Sequence, residues 1–424
     1  MAAEVLKLNK INKIEGKITL PGSKSLSNRA LLLSALCPGH TRLLNVLQSD
    51  DTRRMIEALD ILGIKLNSVG NTVDIEGCAG HFDCGLGRIK LDLGNAGTAM
   101  RPLCAALAVS EGSFELTGEP RMLERPIGPL TEALKDLGLR IEYLNNSGFP
   151  PLLIWGSRPK SHEVTIDGSI SSQFITALLM AGPLCGGLKV KVTGELISKP
   201  YIDLTLDLMH KFGADVKRTG YSTFEVTDKP YSSPKSYFVE GDASSATYFA
   251  AAAAIAGKIE IFGLSSTSCQ GDAHFIDVLE QMGATVKRTE DSVEVKKGKL
   301  KGIEVDMNAM PDAAMTLVPM ALYTDGPVTI KNIASWRVKE TDRLEAMSNE
   351  MKKLGVKVNT GSDYISIDAK ERNSEIPSFA TYNDHRMAMC MSLIALDRDI
   401  EIQNPSCVNK TFPTYFKLLR TVAS

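Results

Sequence analysis

Residues 20–36 read LPGSKSLSNRALLLSAL. A Pro-Gly turn is followed by a polar cluster, and the cluster runs into a continuous apolar segment. The pattern is a turn and then a helix. The first backbone N–H groups of a helix lack intrahelical acceptors and carry a positive partial charge. Lys24 and Arg29 add full charges there, and Ser23, Ser25 and Ser27 add hydroxyl donors. Together they form a socket suited to a carboxylate or a phosphate. The competing reading is an ordinary capped helix with a solvated first turn.

The same pattern recurs along the chain. Apolar helices open at SNRALLLSAL, GTAMRPLCAAL, SSQFITALLMA, SSATYFAAAAA, DAAMTLVPMAL and DHRMAMCMSLIAL. Each is followed by a short alternating strand, such as SFELTG or LKVKVTG. A second, amphipathic helix then ends at a glycine. These glycines are Gly63, Gly138, Gly213, Gly283 and Gly355, separated by 75, 75, 70 and 72 residues. Each fits the position just past a helix C-terminus, with strands following at once. The unit therefore reads helix, strand, helix, strand, strand, six times over, with the sixth copy lacking its last two strands.

The N-terminus carries two spare strands, near residues 5–8 and 17–20. Pairing both with the sixth unit gives the simplest closure. It places residues 1–21 and 241–424 (repeats 4–6) in one lobe and 22–240 (repeats 1–3) in the other, with two adjacent crossings acting as a hinge. The alternative is two sequential lobes without crossings. Three parallel helices per lobe would bring their positive ends together at a cleft between the lobes. Each end favours an anion by roughly 0.3–1 kcal/mol.

Composition sets outer bounds. The 424 residues suffice for two or three domains. A formal net charge of −2 argues against a general nucleic-acid binder, so anion binding must come from local clusters. No apolar run reaches the roughly 18 residues of a membrane span, and the N-terminus lacks the apolar core of a signal peptide. Cysteines at 37, 78, 84, 104, 185, 269, 390 and 407 form no CxxC and no zinc spacing. They read as reduced core thiols of a cytoplasmic protein.

Further anion-suited clusters fall at corresponding places in the repeats. Residues 93–103 (LGNAGTAMRPL) combine close-approach Gly94 and Gly97 with the helix-start residues Asn95 and Thr98. In 118–129 (GEPRMLERPIGP), Arg125 precedes a proline and should be extended, its guanidinium set for a planar anion. Ser171, Ser172 and Gln173 open the third repeat, and Ser198, Lys199 and Tyr201 follow its next strand. Residues 334–344 (ASWRVKETDRL) are the densest charged cluster; on a helix, Lys339 and Arg343 share a face. Asp312 begins an apolar helix as either an N-cap or a general base. His385 and Arg386 begin the last such helix, and Lys410 follows. Each cluster read alone fits a cap or a solvated loop equally well. No nucleotide-binding loop of the G-x4-G-K-[ST] type and no dinucleotide fingerprint is present, so a kinase or a dehydrogenase is not supported.

In order, these motifs (LPGSKSLSNRALLLSAL, LGNAGTAMRPL, GEPRMLERPIG, DGSISSQF, ISKPYID, MPDAAM, WRVKETDR and YNDHRMAM) resemble the 5-enolpyruvylshikimate-3-phosphate synthase family, glyphosate-sensitive type, over nearly the whole chain. The resemblance implies a two-domain, inside-out α/β barrel of six βαβαββ repeats, three per domain. It implies transfer of the enolpyruvyl group of phosphoenolpyruvate to the 5-hydroxyl of shikimate 3-phosphate through a tetrahedral intermediate, with no cofactor and no metal. It also implies a cytoplasmic monomer sensitive to glyphosate, the last from Gly97, Thr98 and Pro102, with no nucleic-acid or membrane partner.

Residue roles follow from the same resemblance. Shikimate 3-phosphate would be held by Lys24, Ser25, Arg29, Ser171, Ser172, Gln173, Ser198, Tyr201, Asp312 and Lys339. Phosphoenolpyruvate would be held by Lys24, Asn95, Gly97, Arg125, Gln173, Arg343, Arg386 and Lys410. Asp312 would take the proton from the 5-hydroxyl, Glu340 would protonate C3, and Lys24 and His385 would assist. Ser335 departs from the Asn usual in the family. Two rivals stand beside this reading. The enolpyruvyl transferase acting on UDP-N-acetylglucosamine typically carries a reactive Cys in the loop matching residues 118–125, and none is present here. The other rival is a non-catalytic anion-binding protein.

Overall fold

One strand pattern repeats through the molecule. Asp83–Asp92 runs parallel to Glu111–Thr117, which pairs antiparallel with Leu152–Gly156, which in turn pairs antiparallel with Arg140–Tyr143. The helices Gly97–Ala108 and Gly128–Asp136 fill the two connections, giving strand–helix–strand–helix–strand–strand. The computed structural model describes residues 4–424, side chains at 83–86 excepted. Within that range the pattern builds five four-stranded sheets and one three-stranded sheet.

The chain divides into two compact units, Met1–Pro21 with Glu240–Ser424, and Gly22–Val239. The expectation that both N-terminal strands join the sixth repeat is corrected. Val5–Leu8 pairs antiparallel with Ile400–Gln403 and completes the sixth repeat's sheet. Ile14–Thr19 instead runs parallel to Gly257–Phe262 and opens the sheet of the fourth. Its alternation explains the choice. Ile14 and Ile18 are buried, while Lys17 points outward and pairs with Glu260 at 2.8 Å. Conversely, Ser236–Phe238 runs parallel to Pro38–Leu44 and opens the first repeat's sheet. At each crossing, then, a strand and the helix after it in sequence belong to different units.

Two kinds of helix alternate. Beyond their polar starts the opening helices are mostly apolar on every side and therefore lie inside their units. Ala243–Ala256 is buried at every residue but the last, and Lys24–Leu36 at every residue but Ser25. The second helices are amphipathic covers. Beyond its first turn, Asp50–Ile61 buries only Met55, Ala58 and Leu59. The five repeat-marking glycines have φ between 72° and 112°, the left-handed region that ends a helix without a Cβ clash.

The segment 334–344 differs from expectation. Ala334–Val338 is a 3-10 helix, and the α-helix starts only at Arg343. Asp342 caps it by accepting the Glu345 N–H at 3.1 Å, which stops the helix from extending back to Lys339. Lys339 and Arg343 therefore do not share a helical face. The cysteines at 37, 78, 104, 185, 269, 390 and 407 are free thiols, and Cys84 lies outside the described side chains.

Candidate active site

In the unit Gly22–Val239, three opening helices present polar first turns. Ser23 caps Lys24–Leu36. Lys24 is buried with its ammonium 3.5 Å from Asp51, a neutralising partner set by the next helix. Arg29 points into the unit: Nε donates to Thr205 Oγ1 at 3.0 Å and Nη1 to the Ser25 carbonyl at 3.0 Å. Burial pulls its pKa down to about 10, so it stays charged at neutral pH. Ser171 caps Ser172–Ala181 through the Gln173 N–H. Ser198, buried with φ of 54°, precedes the helix Pro200–Lys211 that carries Tyr201.

The second repeat adds a cationic corner. Arg125 is extended, as expected before Pro126, and buried. Its Nη1 donates to the carbonyl and to Oδ1 of Asn95, at 3.1 and 2.9 Å. A Cβ on Gly97 would lie 2.7 Å from Arg125 Nη2 and 2.8 Å from Arg101 Nη1. Glycine is therefore the residue that lets two guanidiniums crowd one helix start. Arg101 was not assigned from sequence, although a cation inside an otherwise apolar helix was a readable signal. Neither Asn95 nor Thr98 caps that helix, whose N-cap is Ala96. Thr98 instead accepts the Asn28 amide at 2.6 Å, tying the first two opening helices together.

In the unit formed by Met1–Pro21 and Glu240–Ser424, one carboxylate collects three cations. Asp312 accepts Arg343 Nη1 and Arg386 Nη2, each at 2.9 Å, and lies 3.6 Å from the Lys339 ammonium. It is not the N-cap, which is Met310, so its carboxylate is left for the cluster. Burial opposes its ionisation, but Arg386, Lys339 and Arg343 outweigh that and hold it well below the usual carboxylate range. Arg343 is fully buried. Its Nε donates to Asp384 at 2.8 Å and its Nη2 to Glu340 at 2.9 Å. Arg386 also donates to the Tyr248 hydroxyl at 3.0 Å. His385 is buried with Nδ1 3.5 Å from Asp384. Lys410 ends the 3-10 helix Pro405–Lys410, whose Cys407 Sγ donates to the Asp384 carbonyl at 3.6 Å.

The structure thus gathers Asp312, Lys339, Glu340, Arg343 and Arg386 into one network. Lys24, Ser25, Arg29, Asn95, Gly97, Arg125, Ser171, Ser172, Gln173, Ser198 and Tyr201 belong to the other unit. Lys339 was grouped with the serines by the resemblance; within its own unit its partner is Asp312. Sequence reasoning also missed Asp384, which anchors Arg343, and Asp272. Asp272 is buried and accepts from Ser244 Oγ, and its Oδ1 has no hydrogen-bond partner among the described residues. Burial and the Asp312 charge push its pKa up to about 7. Among the described residues no cluster of His, Cys, Asp and Glu is arranged to hold a metal ion.

The chain is similar to known proteins over nearly its whole length. The family model for EPSP synthase (3-phosphoshikimate 1-carboxyvinyltransferase) matches residues 8–419. The 3-phosphoshikimate 1-carboxyvinyltransferase of Sulfurovum sp. (strain NBC37-1) is 51% identical over 423 residues, covering 98% of this chain and 99% of that protein. The same-named protein of Actinobacillus pleuropneumoniae serotype 5b is 52% identical over 425 residues, covering 97% and 98%. Among solved structures, EPSP synthase from Acinetobacter baumannii superposes with a TM-score of 0.81 at 26% identity, covering 99% of this chain and 98% of that one. The enolpyruvyl transferase NikO from Streptomyces tendae, at 16% identity and a TM-score of 0.78 over 100% and 98% of the chains, shares the fold. The chain belongs to the EPSP synthase (3-phosphoshikimate 1-carboxyvinyltransferase) family.

Proposed function

We propose that the two cationic clusters hold the substrates of the family reaction and that Asp312, Glu340, Lys24 and His385 handle its protons. The reaction comes with the family: the enolpyruvyl group of phosphoenolpyruvate is transferred to the 5-hydroxyl of shikimate 3-phosphate and phosphate is released, a step of aromatic amino acid biosynthesis. The observation that carries the assignment is the Asp312 network. Two buried arginines and a lysine converge on one carboxylate. An anionic substrate would satisfy those donors in its place.

Both substrates are polyanions, so fixed cations must offset their mutual repulsion. Arg125, Arg343, Arg386 and Lys410, with Asn95, Gly97 and Gln173, take phosphoenolpyruvate. Ser25, Arg29, Ser171, Ser172, Gln173, Ser198 and Tyr201, with Asp312 and Lys339, take shikimate 3-phosphate, and Lys24 serves both. Once phosphoenolpyruvate engages the arginines, Asp312 is released from them and its proton affinity rises. It then accepts the 5-hydroxyl proton as that oxygen bonds to C2 and Glu340 protonates C3. Loss of phosphate by C–O cleavage, with removal of a C3 proton, restores the double bond. The two compact units act as the two lobes of the enzyme. The location is cytoplasmic, the working form a monomer, and glyphosate an inhibitor; the first two rest on the whole-chain family resemblance, with the free thiols beside it for the first, and the third on Gly97, Thr98 and Pro102.

Phosphate release from phosphoenolpyruvate plus shikimate 3-phosphate, without ATP and with excess chelator, tests the reading. Release only with UDP-N-acetylglucosamine, or none with either acceptor, overturns it.

A further inference from the structure

His385 and Arg386 follow, after Asp384, a backbone segment that ordinary side chains avoid. Tyr382 and Asn383 have φ of 53° and 55°, two consecutive non-glycine residues in the left-handed region. Such a turn persists only where its surroundings hold it. Here the holder is Glu350, on the helix Arg343–Lys352 and 1% exposed. Its Oε1 accepts the Tyr382 hydroxyl at 2.8 Å. Its Oε2 accepts the Ala380 N–H at 2.9 Å and the Lys353 ammonium at 2.6 Å. Lys353 in turn donates to the Ser378 carbonyl at 2.9 Å. The Tyr382 ring is exposed while its hydroxyl is spent on a buried carboxylate. Burial and Glu350 push that phenol up to about 12, so it remains a donor throughout the working pH range.

One helix therefore clamps the turn at both ends. At its start, Arg343 binds Asp384; two turns later, Glu350 binds residues 380 and 382. Asp384 follows the turn and accepts the Arg386 N–H at 2.9 Å, starting the helix His385–Ser392. The direction in which Arg386 leaves the backbone is fixed by this turn.

We propose that Glu350 and Tyr382 are positioning residues that aim Arg386 and His385 by bracing the left-handed turn at Tyr382 and Asn383. The inference rests on the reading that Arg386 grips phosphoenolpyruvate. Neither residue touches the reacting atoms; both act through Arg386.

The test measures KM for each substrate and kcat in Tyr382→Phe, Glu350→Gln, their double variant and Arg386→Lys. Tyr382→Phe removes one exposed-side hydroxyl and remains informative if Glu350→Gln folds poorly. The expected result is a KM for phosphoenolpyruvate raised about 5- to 20-fold in each brace variant. The KM for shikimate 3-phosphate should stay within twofold, and the double variant should be no worse than the worse single one. Brace variants that leave the phosphoenolpyruvate KM unchanged while Arg386→Lys raises it overturn the brace alone. Equal loss on both substrates, accompanied only by a lower melting temperature, also overturns it, because that marks a purely structural role. An Arg386→Lys enzyme with unchanged phosphoenolpyruvate KM overturns the site reading, and the brace with it.

Discussion

Arg386 Nη2 donates to Asp312 Oδ2 at 2.9 Å, so in the free enzyme the proposed proton acceptor is the counter-ion of a proposed substrate clamp. One contact therefore couples binding to base strength. While Asp312 neutralises Arg386, Arg343 and Lys339 it is a weak base. When a polyanion takes over those cations, the field holding its pKa down is cancelled. The acid limb of kcat, which reports the substrate-bound enzyme, should lie at higher pH than the acid limb of kcat/KM, which reports the free enzyme. Paired pH–rate profiles check this; coincident limbs would separate Asp312 from the clamp.

Removing the acid tests its role directly. Asp312→Ala should lower kcat by roughly 10²–10⁴-fold, the usual contribution of a general base, while shikimate 3-phosphate still binds. Calorimetric titration of that ligand together with single-turnover assays would show the split. Near-normal turnover removes Asp312 from the chemistry.

At Gly97 the added methyl of Gly97→Ala would meet Arg125 Nη2 at 2.7 Å and Arg101 Nη1 at 2.8 Å. The side chains must give way, and Arg125 is then displaced from its two bonds to Asn95. The expected effect is a KM for phosphoenolpyruvate raised on the order of 10-fold, about 1.4 kcal/mol. The KM for shikimate 3-phosphate should hardly move. Arg125→Ala should weaken the same substrate further, and initial-rate kinetics with each substrate varied in turn read both effects.

Arg343 and Asp384 form a buried, hydrogen-bonded ion pair. Arg343 also donates to Asp312 and Glu340, so Asp384→Ala leaves the guanidinium two carboxylate partners, whereas Arg343→Met strips one cation from three carboxylates. Leaving buried charge uncompensated costs about 3–5 kcal/mol, so Arg343→Met should lower the denaturant midpoint of the unit that contains it more than Asp384→Ala does. Chemical denaturation of both variants measures the difference.

Asp272 gives a stability effect of the opposite sign to that of a paired acid. Its folded pKa is raised from the ordinary 3.8 to about 7, so the folded state binds more protons than the unfolded one between those values. Stability contributed by this group is complete below the unfolded pKa and declines as pH rises toward 7. Asp272→Asn should abolish that decline and be more stable than the parent above pH 7, where the parent must hold a buried, poorly paired charge. Thermal melts from pH 4 to pH 8 check it, and parallel curves for the two proteins would contradict it.

Much of the architecture was legible because its signals are local. Leu-Gly endings mark helix stops at Gly63 and Gly355 whatever surrounds them, and a helix without a charged residue and apolar over most of its length, such as Ala243–Ala256, is buried. The extended backbone of Arg125 followed from Pro126 alone. Other features depended on competition between local choices. The periodicity of 334–344 allowed a continuous helix, but the Asp342 cap broke it and left Lys339 outside. Likewise Asp312 read as either a cap or a general base, and arginines distant in sequence, not the helix start, claimed its carboxylate.

The sequence by itself determined the six-fold recurrence, the two kinds of helix and the family, because caps, glycines and hydrophobic period act within a few residues. Tertiary structure decided which strands complete which sheets, sending Val5–Leu8 to the sixth repeat and Ile14–Thr19 to the fourth. It also decided which acid faces which cation, binding Asp312 to Arg343 and Arg386 across 31 and 74 residues of chain. Strand partners and buried ion pairs are long-range choices, fixed by the burial and charge neutralisation of the whole folded chain, and no local window contains them.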